Sequence, residues 1–268
     1  MGVSVVFKFN HALCALAALS ISSAASATSY DLVGNFGASV FAYGAGSYSN
    51  GTLTFDAFVN GYTNCFNVSG FDCTTSGPAG DTSGSSNLPG IGATQGGANF
   101  LTVNVPGNEL WAHPAQGSGD TDAMIRFTAQ QTGFYTLAGL FQRLDTMTSG
   151  SNDPGNNGVA VAIYKSGVDG ISTVFSSSAL QGYGVTQNSQ AGYSDSVFLN
   201  AGDSLFWAIN NNGNYYNDST GITGTIGLRG NDVVLSVPEP ASWAMMVVGF
   251  GLAGLGLRST RRAKVHFA

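Results

Sequence analysis

Between residues 28 and 236 the apolar side chains recur at every second position in short runs, and no run sustains a helical period. Residues 52–59 carry Leu53, Phe55 and Ala57 in alternation, and short runs follow at 100–105 and 123–128. Over 133–144, Tyr135, Leu137, Gly139 and Phe141 share one face. Val159, Val161 and Ile163 alternate likewise, as do Val197 with Leu199, then Leu205, Trp207 and Ile209. Residues 221–228 and 233–235 close the series. A period of two suits a strand with one buried face, because successive side chains point to opposite sides of the sheet. Trp207 shares parity with Leu205 and Ile209, so it is expected inside. Glycine, asparagine and serine clusters separate the runs and mark the turns. About nine to eleven such strands in one domain predict an all-β fold, a β-sandwich of jelly-roll-like topology. Residues 60–98, rich in glycine, serine and threonine, read as one long decorated loop.

The two ends break this pattern. Residues 1–27 have the layout of a secretory signal peptide: Lys8 supplies a positive start, 12–21 is an apolar stretch too short to span a bilayer, and Ala25-Ser26-Ala27 offers a small-x-small cleavage site. Cleavage there makes Thr28 the mature start, and Cys14 leaves with the peptide. Near the other end Pro238-Glu239-Pro240 precedes an apolar run, 241–257, without charge or proline, and Arg258, Arg261, Arg262 and Lys264 follow. As a helix that run rises about 26 Å at ~1.5 Å per residue, slightly short of a hydrocarbon core of about 30 Å. Trp243 suits one interface, and the arginines snorkel at the other. Gly249, Gly251, Gly254 and Gly256 fit a membrane helix better than a soluble one. The expected organisation is a signal peptide at 1–27, a β-sandwich ectodomain at 28–236, a sorting and anchor segment with one transmembrane helix at 237–262, and a basic cytoplasmic end at 263–268.

On Pro238, Glu239 and Pro240, the Trp243-Ala244-Met245-Met246 start, the Gly249-Phe250-Gly251 span and the arginine cluster, the tail resembles the PEP-CTERM sorting domain of Gram-negative bacteria. That resemblance implies recognition by an exosortase-type membrane enzyme. It also implies an inner-membrane-tethered precursor delivered to the cell surface or exopolysaccharide matrix. Similar tails occur on proteins described as ice-binding. The two prolines hold an extended segment at the membrane face, a form a protease-like site can read. A looser resemblance rests on Glu109-Leu110-Trp111-Ala112-His113-Pro114, Thr132-Gly133-Phe134-Tyr135, Leu199-Asn200-Ala201-Gly202-Asp203 and Asn217-Asp218-Ser219-Thr220. These are similar to landmarks of β-sandwiches found ahead of such tails and of jelly-roll carbohydrate-binding modules.

Charge narrows the partners. Residues 28–236 hold Arg126, Arg143, Lys165 and Arg229 against fourteen acidic side chains, a net charge near −10, which argues against nucleic acid or anionic lipid. Cys65 and Cys73 lie in an exported segment, so a disulfide between them is expected, whereas zinc would need two more ligands and His113 is the one histidine of this domain. Hydrolysis is hard to assemble. No Gly-x-Ser-x-Gly turn accompanies His113, and the domain holds one glutamate, Glu109, where a glycosidase needs two facing carboxylates. No enzyme is expected. Calcium is the metal to expect if any, with Asp120, Asp122 and Asp218 as the oxygen ligands. For a polysaccharide, the aromatic platforms to expect are Trp111, Tyr215 and Tyr216. The leading expectation is a structural or adhesive surface or matrix protein with weak carbohydrate affinity; the alternatives are a secreted polysaccharide hydrolase and an ice-binding-like surface, although no Thr-x-Thr ladder is visible.

Overall fold

The computed structural model describes residues 28–75, 89–116, 122–145, 158–180, 189–213, 215, 217–229 and 250. Two antiparallel sheets face each other. The larger runs β14 (Gln190–Leu199), β11 (Gly133–Arg143), β16 (Thr220–Leu228), β9 (Leu110–His113), β6 (Gly90–Thr94), β5 (Phe71–Thr75) and β4 (Asn60–Tyr62), with β1 (Ser29–Asp31) also beside β16. The smaller runs β13 (Gly170–Leu180), β12 (Val159–Gly167), β15 (Ser204–Asn210), β10 (Asp122–Thr128), β2 (Phe41–Ser49) and β3 (Thr52–Ala57). A separate hairpin pairs β7 (Ala98–Phe100) with β8 (Val103–Val105).

The order of β9 to β16 identifies the topology. These strands alternate between the sheets, apart from the β12–β13 hairpin, giving 9-16-11-14 in one sheet and 10-15-12-13 in the other. Two interlocked Greek keys of eight strands are a jelly roll. The N-terminal strands then extend it: β2 and β3 lengthen the smaller sheet past β10, and β4 to β6 lengthen the larger one past β9.

The core lies between the sheets, where the alternating residues meet. Leu205, Trp207 and Ile209 of β15 and Ile125 and Phe127 of β10 are fully buried against Leu137, Phe141, Ile222 and Ile226 of the larger sheet. Burying each of these side chains contributes about 1.5–3 kcal/mol. One polar link crosses this core. The Trp207 indole N–H donates to the Tyr193 hydroxyl at 3.0 Å, and that hydroxyl donates to the Thr223 carbonyl at 2.8 Å. Tyr193 fits there because Gly139 and Gly224 lie opposite each other in register, and a Cβ on either would collide with its hydroxyl.

A second layer covers part of the larger sheet's outer face. Phe71, Cys73 and Trp111 point out of that sheet and are buried by Cys65, Ala98, Phe100, Val103, Val105 and Leu144. The expected disulfide joins Cys65, in a 3-10 turn (Cys65–Asn67), to Cys73 of β5, with 6.1 Å between the Cα atoms.

Two expectations are corrected. The segment 60–98 is not one loop: it supplies β4, β5, β6 and the start of β7, and two of its glycines, Gly90 and Gly92, lie under aromatic rings. A Cβ at Gly90 would stand 3.1 Å from the Trp111 ring, and one at Gly92 would stand 2.8 Å from the Phe71 ring. The run 100–105 is a hairpin rather than a strand, turned by Leu101 at φ 49°. The strand expected at 233–235, the signal peptide with Ala25 and Ala27, and the tail with Pro238, Glu239, Pro240, Trp243, Arg258, Arg261 and Arg262 lie outside the described residues. Among the described residues no helix is long and apolar enough to cross a membrane.

Candidate functional site: an open groove on the six-stranded sheet

Strands that bury one set of side chains must turn the other set outward. Across the smaller sheet that outward set is Tyr48 on β2, Asp122, Met124 and Arg126 on β10, Phe206, Ala208 and Asn210 on β15, and Ala160, Ala162 and Tyr164 on β12, brought side by side by the register. Half of this face is filled. Phe55 of β3 packs on Phe206 with 5.5 Å between centroids, Arg126 lies 4.8 Å over the Phe55 ring, and Met124 and Leu53 close the cluster. The other half has alanine where the first has phenylalanine, and a groove of about 340 Å³ opens over Ala160, Ala162 and Ala208.

Tyr48 and Tyr164 wall this groove, their half-buried rings 4.4 Å apart at 42° although they come from strands separated by β15 and β10. Asp122 and Asn210 stand at one end, where the Asn210 side-chain amide donates to the Asp122 carboxylate at 2.5 Å. Ser176, Ser177 and Ser178 of β13 line the rim. Burial, then the nearby Asp122 carboxylate, raises the Tyr164 phenol above its ordinary range. Flat rings beside a carboxylate, an amide and hydroxyls can stack against a polar ring and hydrogen-bond its substituents. Among the described residues lining the groove Asp122 is the single carboxylate.

Of the expected sugar platforms, the two described ones, Trp111 and Tyr215, do not line this groove. Trp111 is 5% exposed because the second layer covers its side of β9, with Phe66, Phe71 and Phe100 rings 5.3–5.8 Å away. Tyr215 is equally buried, 6.4 Å from the His113 ring, and Tyr216 lies outside the described residues. Asp218, expected as a calcium ligand, has a different neighbour here. Asp218 is buried with the Arg143 guanidinium 4.0 Å away, so a resident side chain supplies the positive charge. Arg143 also donates twice to the Asn217 carbonyl, and Asp145 beside it accepts from Thr102 and from the Ser219 backbone N–H. Asp122 belongs to the groove instead, and Asp120 lies outside the described residues. Among the described residues no group of three His, Cys, Asp or Glu side chains could hold a metal.

Tyr48 and Tyr164 were missed. A signal for Tyr164 exists: it falls out of phase with Val159, Val161 and Ile163, so it must face outward. One further group stands apart. Glu109, just ahead of β9, is buried against Gly221 and Leu144 with one carboxylate oxygen lacking a hydrogen bond, and burial pushes its pKa up to about 7. His113, four residues on, is shifted down by burial against the opposing pull of Asp145, and its Nδ1 bonds the Pro114 carbonyl at 2.7 Å.

The strand order defines a jelly-roll β-sandwich, and its six-stranded sheet carries an open groove. Residues 236–262 match the family described as the PEP-CTERM protein-sorting motif. The chain therefore carries that motif, which marks an exported, surface-directed protein handled by exosortase at the membrane. No curated protein sequence matches the chain. Among solved structures it is similar to a mutant of the carbohydrate-binding module CBM29-2 at 14% identity and TM-score 0.30, over 51% of this chain and 84% of that one. It is similar to the K1 adhesin domain of Lys-gingipain from Porphyromonas gingivalis W83 at 12% identity and TM-score 0.25, over 66% and 96%. A match to the Arthrobacter globiformis T6 isomalto-dextranase has 14% identity and TM-score 0.26, covering 59% of this chain and 23% of the enzyme. At TM-scores of 0.25–0.30 these likenesses carry no argument about fold or function.

Proposed function

We propose that this chain is a non-catalytic surface or matrix protein that holds extracellular polysaccharide in the groove walled by Tyr48 and Tyr164. The sorting motif supports delivery to the place where such polymers lie. The observation that carries the sugar reading is the aromatic pair over an alanine floor, with Asp122, Asn210 and the β13 serines at its margin. An open, shallow face suits one stretch of a polymer, and the single lining carboxylate suits retention rather than cleavage. The protein then serves as a structural or adhesive link between the envelope and its glycan coat.

The test is binding of the full-length protein in detergent to soluble polysaccharides, read by affinity electrophoresis with parallel reducing-sugar release. The expected result is retardation without sugar release, weakened at least tenfold in Tyr164→Ala. Retardation unchanged in Tyr164→Ala, with the fold intact by circular dichroism, overturns the groove as the site. Steady sugar release would overturn the non-catalytic reading.

A further inference from the structure

The groove has a charge bias of its own. Its described lining holds one ionisable acid, Asp122, at 4% exposure, together with two tyrosines, serines, alanines and Asn210, and no lysine or arginine. The cation on the same face, Arg126, lies over Phe55 in the filled half. The whole domain adds a surplus of negative charge. A partly desolvated carboxylate attracts a cation more strongly than an exposed one does, and tyrosine faces attract cations as well. The Asn210 amide bonded to Asp122 holds that carboxylate in one orientation at the groove end.

Resting on the carbohydrate reading above, we propose that the groove selects sugars that carry a free, positively charged amine, such as a hexosamine polymer lacking its N-acetyl groups. The amine sits at Asp122 while its ring lies along Tyr48 and Tyr164. A neutral sugar makes the ring contacts without the ion pair. A uronic acid places its carboxylate beside Asp122 and is repelled. The serine rim is neutral and leaves this preference to Asp122 alone.

The experiment titrates full-length protein in detergent with glucosamine hexamer, its fully N-acetylated counterpart and a galacturonate hexamer, by calorimetry. Glucosamine hexamer is expected to bind about tenfold more tightly than the N-acetylated form, with no galacturonate binding. Asp122→Asn is expected to abolish that tenfold difference, so that the two hexamers bind alike whatever affinity remains. Ser176→Lys, a change at an exposed rim position, is expected to weaken the glucosamine hexamer selectively, so the proposal stays testable if Asp122→Asn fails to fold. Equal affinity for the first two hexamers overturns the amine preference while the sugar-binding reading stands. A preference that survives both substitutions overturns it too, because diffuse attraction to an acidic protein would then suffice. Binding to none of the three overturns the amine preference, and the carbohydrate reading then stands or falls on the polysaccharide retardation test.

Discussion

The outer faces of the two sheets began from the same kind of residue and ended in opposite states. On the larger sheet the outward side of β9 presents Glu109, Trp111 and His113, and the 3-10 turn and the β7–β8 hairpin have folded over it. On the smaller sheet Tyr48 and Tyr164 point outward just as Trp111 does, and among the described residues side chains of the sheet's own strands, such as Phe55 and Phe206, fill half of that face. Alternation tells which side of a strand a residue occupies. Whether that side meets water or a second layer is decided by segments distant in sequence. The comparison therefore turns on energy: a covered face should unravel when its aromatics are cut back, and an open face should lose function while stability barely moves.

The largest effect is expected at Phe71, which is fully buried among Phe66, Phe100 and Trp111. Phe71→Ala should cost about 3–5 kcal/mol, the usual range for emptying a packed phenylalanine site, measured by urea unfolding. A loss under about 1 kcal/mol would mean the second layer is draped rather than packed. Next comes the disulfide that pins this layer. Closing a short loop of this size stabilises by about 2.5 kcal/mol through the unfolded state. Paired Cys65→Ala and Cys73→Ala substitutions should therefore lower stability by about that amount, and adding reductant to the double variant should change nothing further.

The covered layer is also where the sequence was hardest to read. The jelly-roll core was legible because Tyr135, Leu137 and Phe141, and later Leu205, Trp207 and Ile209, keep a period of two that puts each set on the face buried between the sheets. The β4 to β6 strands were not, because Gly90 and Gly92 look like loop residues until the Trp111 and Phe71 rings are seen resting on them. Gly44 and Gly46 hid β2 in the same manner, each leaving space for a neighbour, the Phe55 ring in one case and the Met124 sulfur in the other. Glycine in these strands marks close packing rather than a turn. The groove inherited that difficulty, since Tyr48 lies on the strand hidden by those glycines. Asp122 was legible as a residue of interest for its oxygen chemistry, although the cation expected beside it was calcium.

A pH titration sharpens the comparison within the covered face. Glu109 titrates near 7 in the fold against an ordinary value of 4.5, because burial penalises its charged form. Its contribution is therefore full below about pH 4.5 and is lost as pH rises through about 7, on the order of 2 kcal/mol in all. His113 acts with the opposite sign. Its folded pKa lies below 6.5, so its contribution is present above that value and is lost as the pH falls. The clean readout is the difference between wild type and Glu109→Gln, in which the His113 contribution cancels. That difference should shift in favour of the variant between pH 5 and pH 8. A difference independent of pH would show that Glu109 is ionised and solvated in the fold.

The smallest stability effect is expected on the open face, and it is the one that separates the faces most sharply. Tyr164 is half-buried, its ring partner is Tyr48, and it rests partly on the alanine floor and partly against the small cluster of Met124, Phe206 and Ala208 rather than on the main core. Removing the ring forfeits one aromatic pair and a modest apolar contact, about 1 kcal/mol. The backbone ladders of β12 to β13 and β15 are unaffected, because Val161 and Ile163 on the other side of the strand keep the sandwich closed. Tyr164→Ala should therefore unfold within about 1 kcal/mol of wild type in urea while losing polysaccharide retardation. If instead it falls as far as Phe71→Ala, the tyrosine pair is holding the sheet together, and the groove is a gap in the packing rather than a place built for a ligand.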